Sequence, residues 1–173
     1  MRRYLFRGRN MALIVKKFGG SSVATTEKIM NVAKRVLSEK QPGDQIVMVV
    51  SAMGDTTDDL ITLANGITKD PYQYAREMDM LLTTGEQVSI ALLAMAFKSL
   101  GQPAISLTGP MAGMRTDSVH TKGRIKDIQP KRVHEELDKG NIVVVAGFQG
   151  ADEIGVILIN IPTVCGHRHA ACS

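Results

Sequence analysis

The stretch Lys17-Phe18-Gly19-Gly20-Ser21-Ser22 decides the fold, because it separates a predicted strand from a predicted helix. Leu13-Ile14-Val15 before it is a short β-prone run, and residues 25–40 after it carry apolar side chains at helical spacing. Two glycines let backbone N–H groups approach an anion, the serines add donors, and Lys17 adds a positive charge. The stretch therefore indicates either a phosphate-binding loop or a tight turn with an exposed lysine. It is neither a Walker loop nor a dinucleotide-binding motif.

The composition favours one soluble domain without a nucleic-acid or membrane partner. The 173 residues are 44% hydrophobic, enough to bury one sizeable core. The net charge of +4 comes from four arginines in the first ten residues, and the remaining 17 basic residues balance 17 acidic ones. No secretory signal or membrane-length apolar run is apparent. Both cysteines fall in the last nine residues, which fits a reducing cytoplasm.

A second polar loop follows the next predicted strand. Residues 41–44 end the first helix, and residues 46–50 form a continuous apolar run typical of a strand that is buried on both faces. This strand enters the loop from Ser51 to Thr57, from which a second helix begins near Thr57. Because ligands of parallel sheets bind at the carboxyl ends of strands, both loops are expected at one edge. Asp58 and Asp59 are interpreted as complementing the helix start.

The segment 72–100 is predicted to contain two helices. It is long for one helix, and Thr84 with Gln87 three residues later fits a capping box, so a new helix is expected to begin at Thr84. Glu86 then lies in a first turn. There its carboxylate either complements the helix dipole or binds a cationic group of a ligand.

The remaining predicted elements add a third glycine-bearing loop. Residues 103–107 and 142–146 are predicted strands, and the second of these ends at Gly147-Phe148-Gln149-Gly150. Residues 124–128 are a candidate strand, and a helix is predicted between Pro130 and Gly140. Four polar residues of the segment 113–122 either line a site or decorate a surface hairpin, and the surface is favoured: Arg115, Thr116, Asp117 and His120.

Several motifs, in order along the chain, resemble the aspartate kinases of the amino acid kinase family. They are residues 17–24, Val49-Val50-Ser51-Ala52-Met53-Gly54-Asp55-Thr56-Thr57-Asp58, residues 77–87 with Thr84-Gly85-Glu86-Gln87, Ser106-Leu107-Thr108-Gly109, and Val145-Ala146-Gly147-Phe148-Gln149-Gly150. The resemblance runs from about Ala12 to Gly150, and Met111 departs from it where the family commonly has glutamine. It implies an α/β fold, a three-layer αβα sandwich with a mainly parallel sheet.

The implied reaction is phosphorylation of the side-chain carboxylate of L-aspartate by ATP with Mg²⁺, which opens the biosynthesis of lysine, threonine and methionine. That carboxylate has a pKa of about 4 and is already ionised at neutral pH, so no general base is required. The resemblance implies that the ATP phosphates are held by Lys17, Gly19, Gly20 and Ser21, and that Lys17 is also catalytic. It implies that Ser51 and Gly54 line the phosphate-facing loop. It further implies that Thr57 and Glu86 contact aspartate and that Gly147 closes the cleft floor.

The expected organisation is an N-terminal extension (1–10), the N-terminal part of a kinase domain (11–150) and an off-pattern tail (151–173). Met11 is interpreted as the natural start, and the chain as a truncated or frame-shifted product. No metal site is predicted, because the tail cluster Cys165, His167, His169 and Cys172 lacks the usual zinc spacing. Alternatives left open are a non-catalytic fragment that binds phosphate or aspartate, a homo-oligomer or association with full-length subunits, and a related kinase with another acceptor.

Overall fold

The computed structural model describes residues 4–8 and 11–159. Its strands are β1 (Tyr4–Gly8), β2 (Met11–Phe18), β3 (Gln45–Val50), β4 (Ala104–Leu107), β5 (Met114–Thr116), β6 (Ile125–Ile128), β7 (Ile142–Ala146), β8 (Gln149–Ala151) and β9 (Ile157–Ile159). Its helices are α1 (Thr26–Glu39), α2 (Thr56–Ile67), α3 (Ala75–Ser99) and α4 (Lys131–Asp138), with 3₁₀ turns at Gly20–Ser22 and Pro71–Tyr74.

Two sheets organise these elements. The main sheet has the order β1-β2-β3-β7-β4, in which β2, β3, β7 and β4 are parallel and β1 is antiparallel to β2. A smaller mixed sheet has the order β6-β5-β8-β9. The predicted mainly parallel sheet is confirmed, and the candidate strand at 124–128 is β6 of the smaller sheet.

Helices cover both faces of the main sheet, as predicted for a three-layer αβα sandwich. On one face, Ile29 of α1 and Phe97 of α3 pack into the same core as Met48 of β3. On the other face, Leu137 of α4 packs with Val143 and the second core cluster. Successive residues of a strand point to opposite faces, so a central strand must be apolar throughout. All five residues of β7 are buried.

The helix α1 shows how local sequence sets these elements. Thr25 caps its start, its side chain accepting a hydrogen bond from the backbone N–H of Lys28. The buried residues Ile29, Val32, Ala33 and Val36 recur at the spacing of one helical face. The observed limits of α1, Thr26 and Glu39, each differ by one residue from the predicted limits of 25 and 40.

The helix α3 corrects a prediction. It continues without a break from Ala75 to Ser99, so the expected new start at Thr84 is wrong. The hydroxyls of Thr83 and Thr84 donate to the carbonyls of Met80 and Leu81, which keeps both threonines inside the helix. Glu86 therefore lies in a helix interior, and the alternative in which it complements a helix dipole is removed.

Residues 71–99, which contain α3, could cross a membrane as judged by length and composition alone. Half of its most apolar window is nevertheless buried inside the domain. Its buried residues include the polar side chains of Asp79, Thr83, Glu86 and Ser89. We therefore describe α3 as a core helix of the αβα sandwich.

The two ends of the described chain both contribute strands. Residues 4–8 of the predicted extension form β1, in which Tyr4 lies opposite Val15. Beyond Gly150, β9 pairs antiparallel with β8 and Gln149 lies opposite Ile159. The tail cluster from Cys165 to Cys172 lies outside the described residues.

Candidate functional site

Three loops meet at the carboxyl edge of the main sheet and are joined by backbone hydrogen bonds. The N–H of Ser51 donates to the Phe18 carbonyl at 3.3 Å, and the N–H of Gly147 donates to the Val50 carbonyl at 2.8 Å. The N–H of Gly54 donates to the Gly20 carbonyl at 3.1 Å. We call this set, residues 17–22, 51–57 and 147–149, the three-loop edge. The parallel strands therefore bring together the loops that the sequence places there.

The loop after β2 carries unpaired backbone donors. Ser22 and Val23 donate to the carbonyls of Gly19 and Gly20, closing the 3₁₀ turn. The N–H groups of Gly19, Gly20 and Ser21 donate to no acceptor in the part of the chain that the structure describes. A Cβ on Gly20 would lie 2.7 Å from the Ala52 carbonyl oxygen, so this close approach of two loops requires glycine. Such a row of free N–H groups is a concave site for an anion.

Lys17 projects toward the third loop. Its Nζ lies 5.4 Å from the centre of the Phe148 ring, within the range of a cation–π interaction. Phe148 has a φ of 57°, a left-handed conformation that a bulky residue rarely adopts. The strained backbone thus presents an aromatic face to the lysine. The sequence analysis names Phe148 within the third loop but predicts no site role for it.

A second lysine supports the same loop. Lys28 of α1 donates from Nζ to the Ser21 carbonyl at 3.0 Å. The sequence places Lys28 only on a polar face of α1, because helical spacing does not show where a long side chain turns. Its contact holds the glycine loop against the first turns of α1.

Glu86 is the buried acid of the site. Its residue is 7% exposed, and the nearest side-chain donor is Nε2 of Gln149, 3.4 Å from Glu86 Oε2. Burial raises the pKa of the Glu86 carboxyl to about 7, although hydrogen bonds from its own backbone, from Gln149 and from the Ala52 backbone lower it in part. A carboxylate that is deprived of water in this way gains strongly from a cationic ligand.

The other predicted site residues lie along the three-loop edge. Thr57 is half-buried in the first turn of α2 and Ser51 is half-buried at the end of β3, whereas Gly54 is exposed with a φ of 48°. Gly147 is buried, and a Cβ there would lie 3.1 Å from the Val50 carbonyl oxygen. Gly85 lets α3 approach this edge, because a Cβ on it would lie 3.0 Å from the Ala52 Cβ.

Gln149 is a site residue that the sequence analysis missed. Its side chain is fully buried, and its Nε2 donates to the Thr83 carbonyl at 2.9 Å. Its Oε1 has no hydrogen-bond partner among residues 4–8 and 11–159. The motif Gly147-Phe148-Gln149-Gly150 carries the only sequence signal, a polar residue within an otherwise apolar and glycine-rich turn.

The loop between β5 and β6 corrects the surface interpretation of residues 115–120. Arg115 is exposed as expected, but Thr116 is 1% exposed. His120 Nδ1 lies 2.7 Å from Oδ2 of the fully buried Asp79, and the N–H of Thr121 donates to the same carboxylate. The surface interpretation is therefore wrong for Thr116 and His120, because His120 anchors the loop on α3.

The fold and the three-loop edge together define a class of protein. The chain belongs to the amino acid kinase family, whose family model matches residues 12–163.

Within that family, the chain is similar to aspartokinases. It is 56% identical over 147 residues to an aspartokinase of Bacillus sp. strain MGA3, and 54% identical over 143 residues to aspartokinase 2 of Bacillus subtilis strain 168. These matches cover 85% and 83% of this chain and 35% of each relative. The chain thus spans about a third of the length of these curated relatives.

Solved structures show the same similarity. A Synechocystis aspartate kinase superposes with a TM-score of 0.70 at 44% identity, covering 87% of this chain and 24% of that one. Escherichia coli aspartokinase III, solved with aspartate and ADP, superposes with a TM-score of 0.72 at 19% identity, covering 85% of this chain and 43% of that one. At that identity the second likeness concerns the fold alone.

Proposed function

We propose that this chain provides the phosphate-binding and aspartate-binding part of an aspartate kinase, which transfers the γ-phosphoryl group of ATP to the side-chain carboxylate of L-aspartate and yields 4-phospho-L-aspartate. The observation that carries this proposal is the three-loop edge, where backbone hydrogen bonds hold the Lys17 loop beside the loops from Ser51 and Gly147. The similarity to curated aspartokinases at 54–56% identity supports it.

The glycine loop would bind the transferred phosphate. The free N–H groups of Gly19, Gly20 and Ser21 offer several fixed donors, and Lys17 adds a full positive charge. Ser51 and Gly54 would line the same loop surface. Negative charge accumulates on the phosphoryl oxygens during transfer, so fixed donors and one cation lower the barrier mainly by electrostatic stabilisation and alignment.

The buried acid would bind the amino group of aspartate. Glu86 would accept hydrogen bonds from the ammonium group, Thr57 lies on the first turn of α2, and Gly147 would form the floor of the site. The reacting carboxylate of aspartate is ionised at neutral pH and acts directly as the nucleophile.

Magnesium enters this proposal only with the nucleotide. Within residues 4–8 and 11–159, no group of three His, Cys, Asp or Glu side chains could hold a metal ion. The described residues therefore do not fit a metal bound by protein ligands alone, and we assign no step to Mg²⁺ on them. We expect ATP to be required together with Mg²⁺, as the resemblance implies.

A hydroxamate assay for aspartyl phosphate tests the proposal. We expect Lys17→Ala to reduce turnover at least about 100-fold, because one fixed charge at the transferred group is worth that much in catalysis. Lys34→Ala, which removes an exposed lysine of α1, is the control and should retain full turnover. Turnover that survives Lys17→Ala would contradict the assigned role.

A second candidate is a binding unit without turnover, acting alone, as a homo-oligomer or with full-length subunits. It is favoured by the fact that the chain spans about a third of its relatives' length. Calorimetry that detects L-aspartate binding without hydroxamate formation would support it, and co-elution with a full-length aspartokinase would identify subunit association. A phosphorylated product with another acceptor would favour a related kinase instead. For both candidates we propose a cytoplasmic location, which the confinement of the two cysteines to the last nine residues favours.

A further inference from the structure

Gln149 occupies an unusual position for a polar side chain. It is fully buried, whereas glutamine is mostly an exposed residue. Its backbone is held on two sides, because it pairs with Ile159 in the small sheet and Gly109 packs directly on its carbonyl. A Cβ added to Gly109 would overlap the Gln149 carbonyl oxygen. The side chain therefore extends from a fixed point toward α3.

The hydrogen bonds of Gln149 define the orientation of its amide. Nε2 lies 2.9 Å from the Thr83 carbonyl and 3.4 Å from Glu86 Oε2. Both neighbours are acceptors, so the nitrogen and not the oxygen must face them. Oε1 is then directed elsewhere and has no partner among the described residues. A buried acceptor without a donor lowers stability, which makes it a candidate for contact with a ligand.

We infer that Gln149 is a specificity-determining residue of the aspartate site: its Nε2 orients the Glu86 carboxylate, and its Oε1 accepts a hydrogen bond from the α-ammonium group of the substrate. This inference rests on the proposed function and extends it to a residue outside the set predicted from the sequence. The ammonium group carries three donors, and the Glu86 carboxylate and Gln149 Oε1 would supply two of their acceptors. The ligand class is therefore a primary ammonium that lies close to a carboxylate.

Succinate separates the ammonium contact from the rest of the site, because it is L-aspartate without the amino group. If Glu86 and Gln149 bind the ammonium, loss of Gln149 weakens aspartate binding and leaves succinate binding nearly unchanged. A packing role for Gln149 would instead weaken both ligands to the same degree. The ratio of the two affinities thus distinguishes recognition from support of the fold.

The experiment uses the full 173-residue chain. Gln149→Met preserves the volume of the side chain and removes both amide groups, and Gln87→Met is the matched control on an exposed glutamine of α3. We expect Gln149→Met to weaken L-aspartate at least about 10-fold by calorimetry, the loss of one hydrogen bond to a charged group, and to change succinate less than about 2-fold. The control should change neither. Equal losses for both ligands, or no loss for aspartate, would overturn the inference.

A second variant and a second measurement keep the inference testable if Gln149→Met does not fold or if the wild-type chain binds no aspartate. Gln149→Asn keeps an amide but shortens it by one methylene, and it should also lower the ratio of aspartate to succinate affinity if Gln149→Met does not fold. If the wild-type chain binds no aspartate, the proposed function fails, and ¹³C NMR titration of the Glu86 carboxyl still tests the orienting contact. There the pKa of Glu86 should rise in the variant, because a donor to its carboxylate is lost. An unchanged pKa would overturn the inference independently of binding.

Discussion

Asp79 and Glu86 are two buried acids on one face of α3, seven residues apart, with very different surroundings. Asp79 receives hydrogen bonds from the Thr121 N–H and lies 2.7 Å from His120 Nδ1. Glu86 has only the 3.4 Å contact with Gln149 among side-chain donors in the described chain. The same helix thus carries one acid held by close hydrogen bonds from a neighbouring loop and one whose side-chain donor is more distant and whose other donors are backbone groups.

This difference shows how burial alone misleads as a sign of function. An acid whose hydrogen bonds are satisfied by its own chain is an anchor, and Asp79 anchors the loop between β5 and β6. A nearly buried acid with only one long side-chain hydrogen bond retains capacity for a ligand, which is the role proposed for Glu86. We expect substitution of Asp79 to lower stability without changing ligand binding. Substitution of Glu86 should raise stability relative to the wild type toward neutral pH and weaken ligand binding.

The largest expected effect comes from Gly109→Ala, which displaces the strand that holds Gln149 next to Glu86. The new Cβ overlaps the Gln149 carbonyl, so β8 must move and withdraw the amide from Glu86. We expect a loss of at least about 4 kcal/mol in the free energy of unfolding, measured by urea denaturation. Gly66→Ala, with no atom within 4 Å of its Cβ, is the control and should gain up to about 1 kcal/mol. Similar stabilities of the two variants would contradict this prediction.

The next effect is a pH dependence of stability that belongs to Glu86. Between its ordinary pKa of 4.5 and the raised value of about 7, the folded state holds a proton that the unfolded state has released. The free energy of unfolding therefore falls as pH rises through this interval, by roughly 3 kcal/mol for this group.

Glu86→Gln removes that titration, so its stability relative to the wild type should increase by the same amount between pH 4.5 and pH 7. Urea denaturation across this range measures the difference. A flat difference for Glu86→Gln would show that its carboxyl titrates normally.

Asp79→Ala should lower stability by about 2 kcal/mol, because His120 and the Thr121 N–H lose their acceptor. Asp59→Ala removes an exposed acid of α2 and should change stability by less than about 0.5 kcal/mol. Denaturation with urea compares the two. Succinate and aspartate should bind Asp79→Ala as they bind the wild type, and a selective loss of aspartate affinity would place Asp79 in the site.

The smallest expected effect is that of His120→Ala, which sharpens the assignment of Asp79 as an anchor. The carboxylate keeps the Thr121 N–H as a partner, so we expect a loss of only about 1 kcal/mol by thermal or urea denaturation. His134→Ala, at an exposed position of α4, should have no measurable effect. A loss larger than that of Asp79→Ala would mean that His120 has a further role.

The sequence predicted the parallel sheet and its loops because their signals are local. The apolar runs of β3 and β7 and the helical spacing of α1 need no knowledge of distant residues. The glycine loop was recognisable for the same reason. Its role as a site for phosphate depended on two further loops at the same edge, and the parallel topology brings these together.

The missed features depend on contacts between distant residues. Gln149 meets Glu86 across 63 positions of sequence, and His120 meets Asp79 across 41. The capping-box pattern at Thr84 failed because the same threonine hydroxyl bonds to a carbonyl one turn earlier. The pairing of β1 with β2 was missed because arginines dominate the composition of residues 1–10.

The backbone bonds from Ser51, Gly54 and Gly147 also have a mechanical consequence for the three-loop edge. Each loop uses a main-chain donor or acceptor of its neighbour, so no loop can swing outward without breaking a bond to the next. Local opening should therefore be cooperative, and the amide hydrogens of these three residues should exchange with solvent in one kinetic class. The spacing of the anion donors at this edge is therefore set by the main chain and not by flexible side chains.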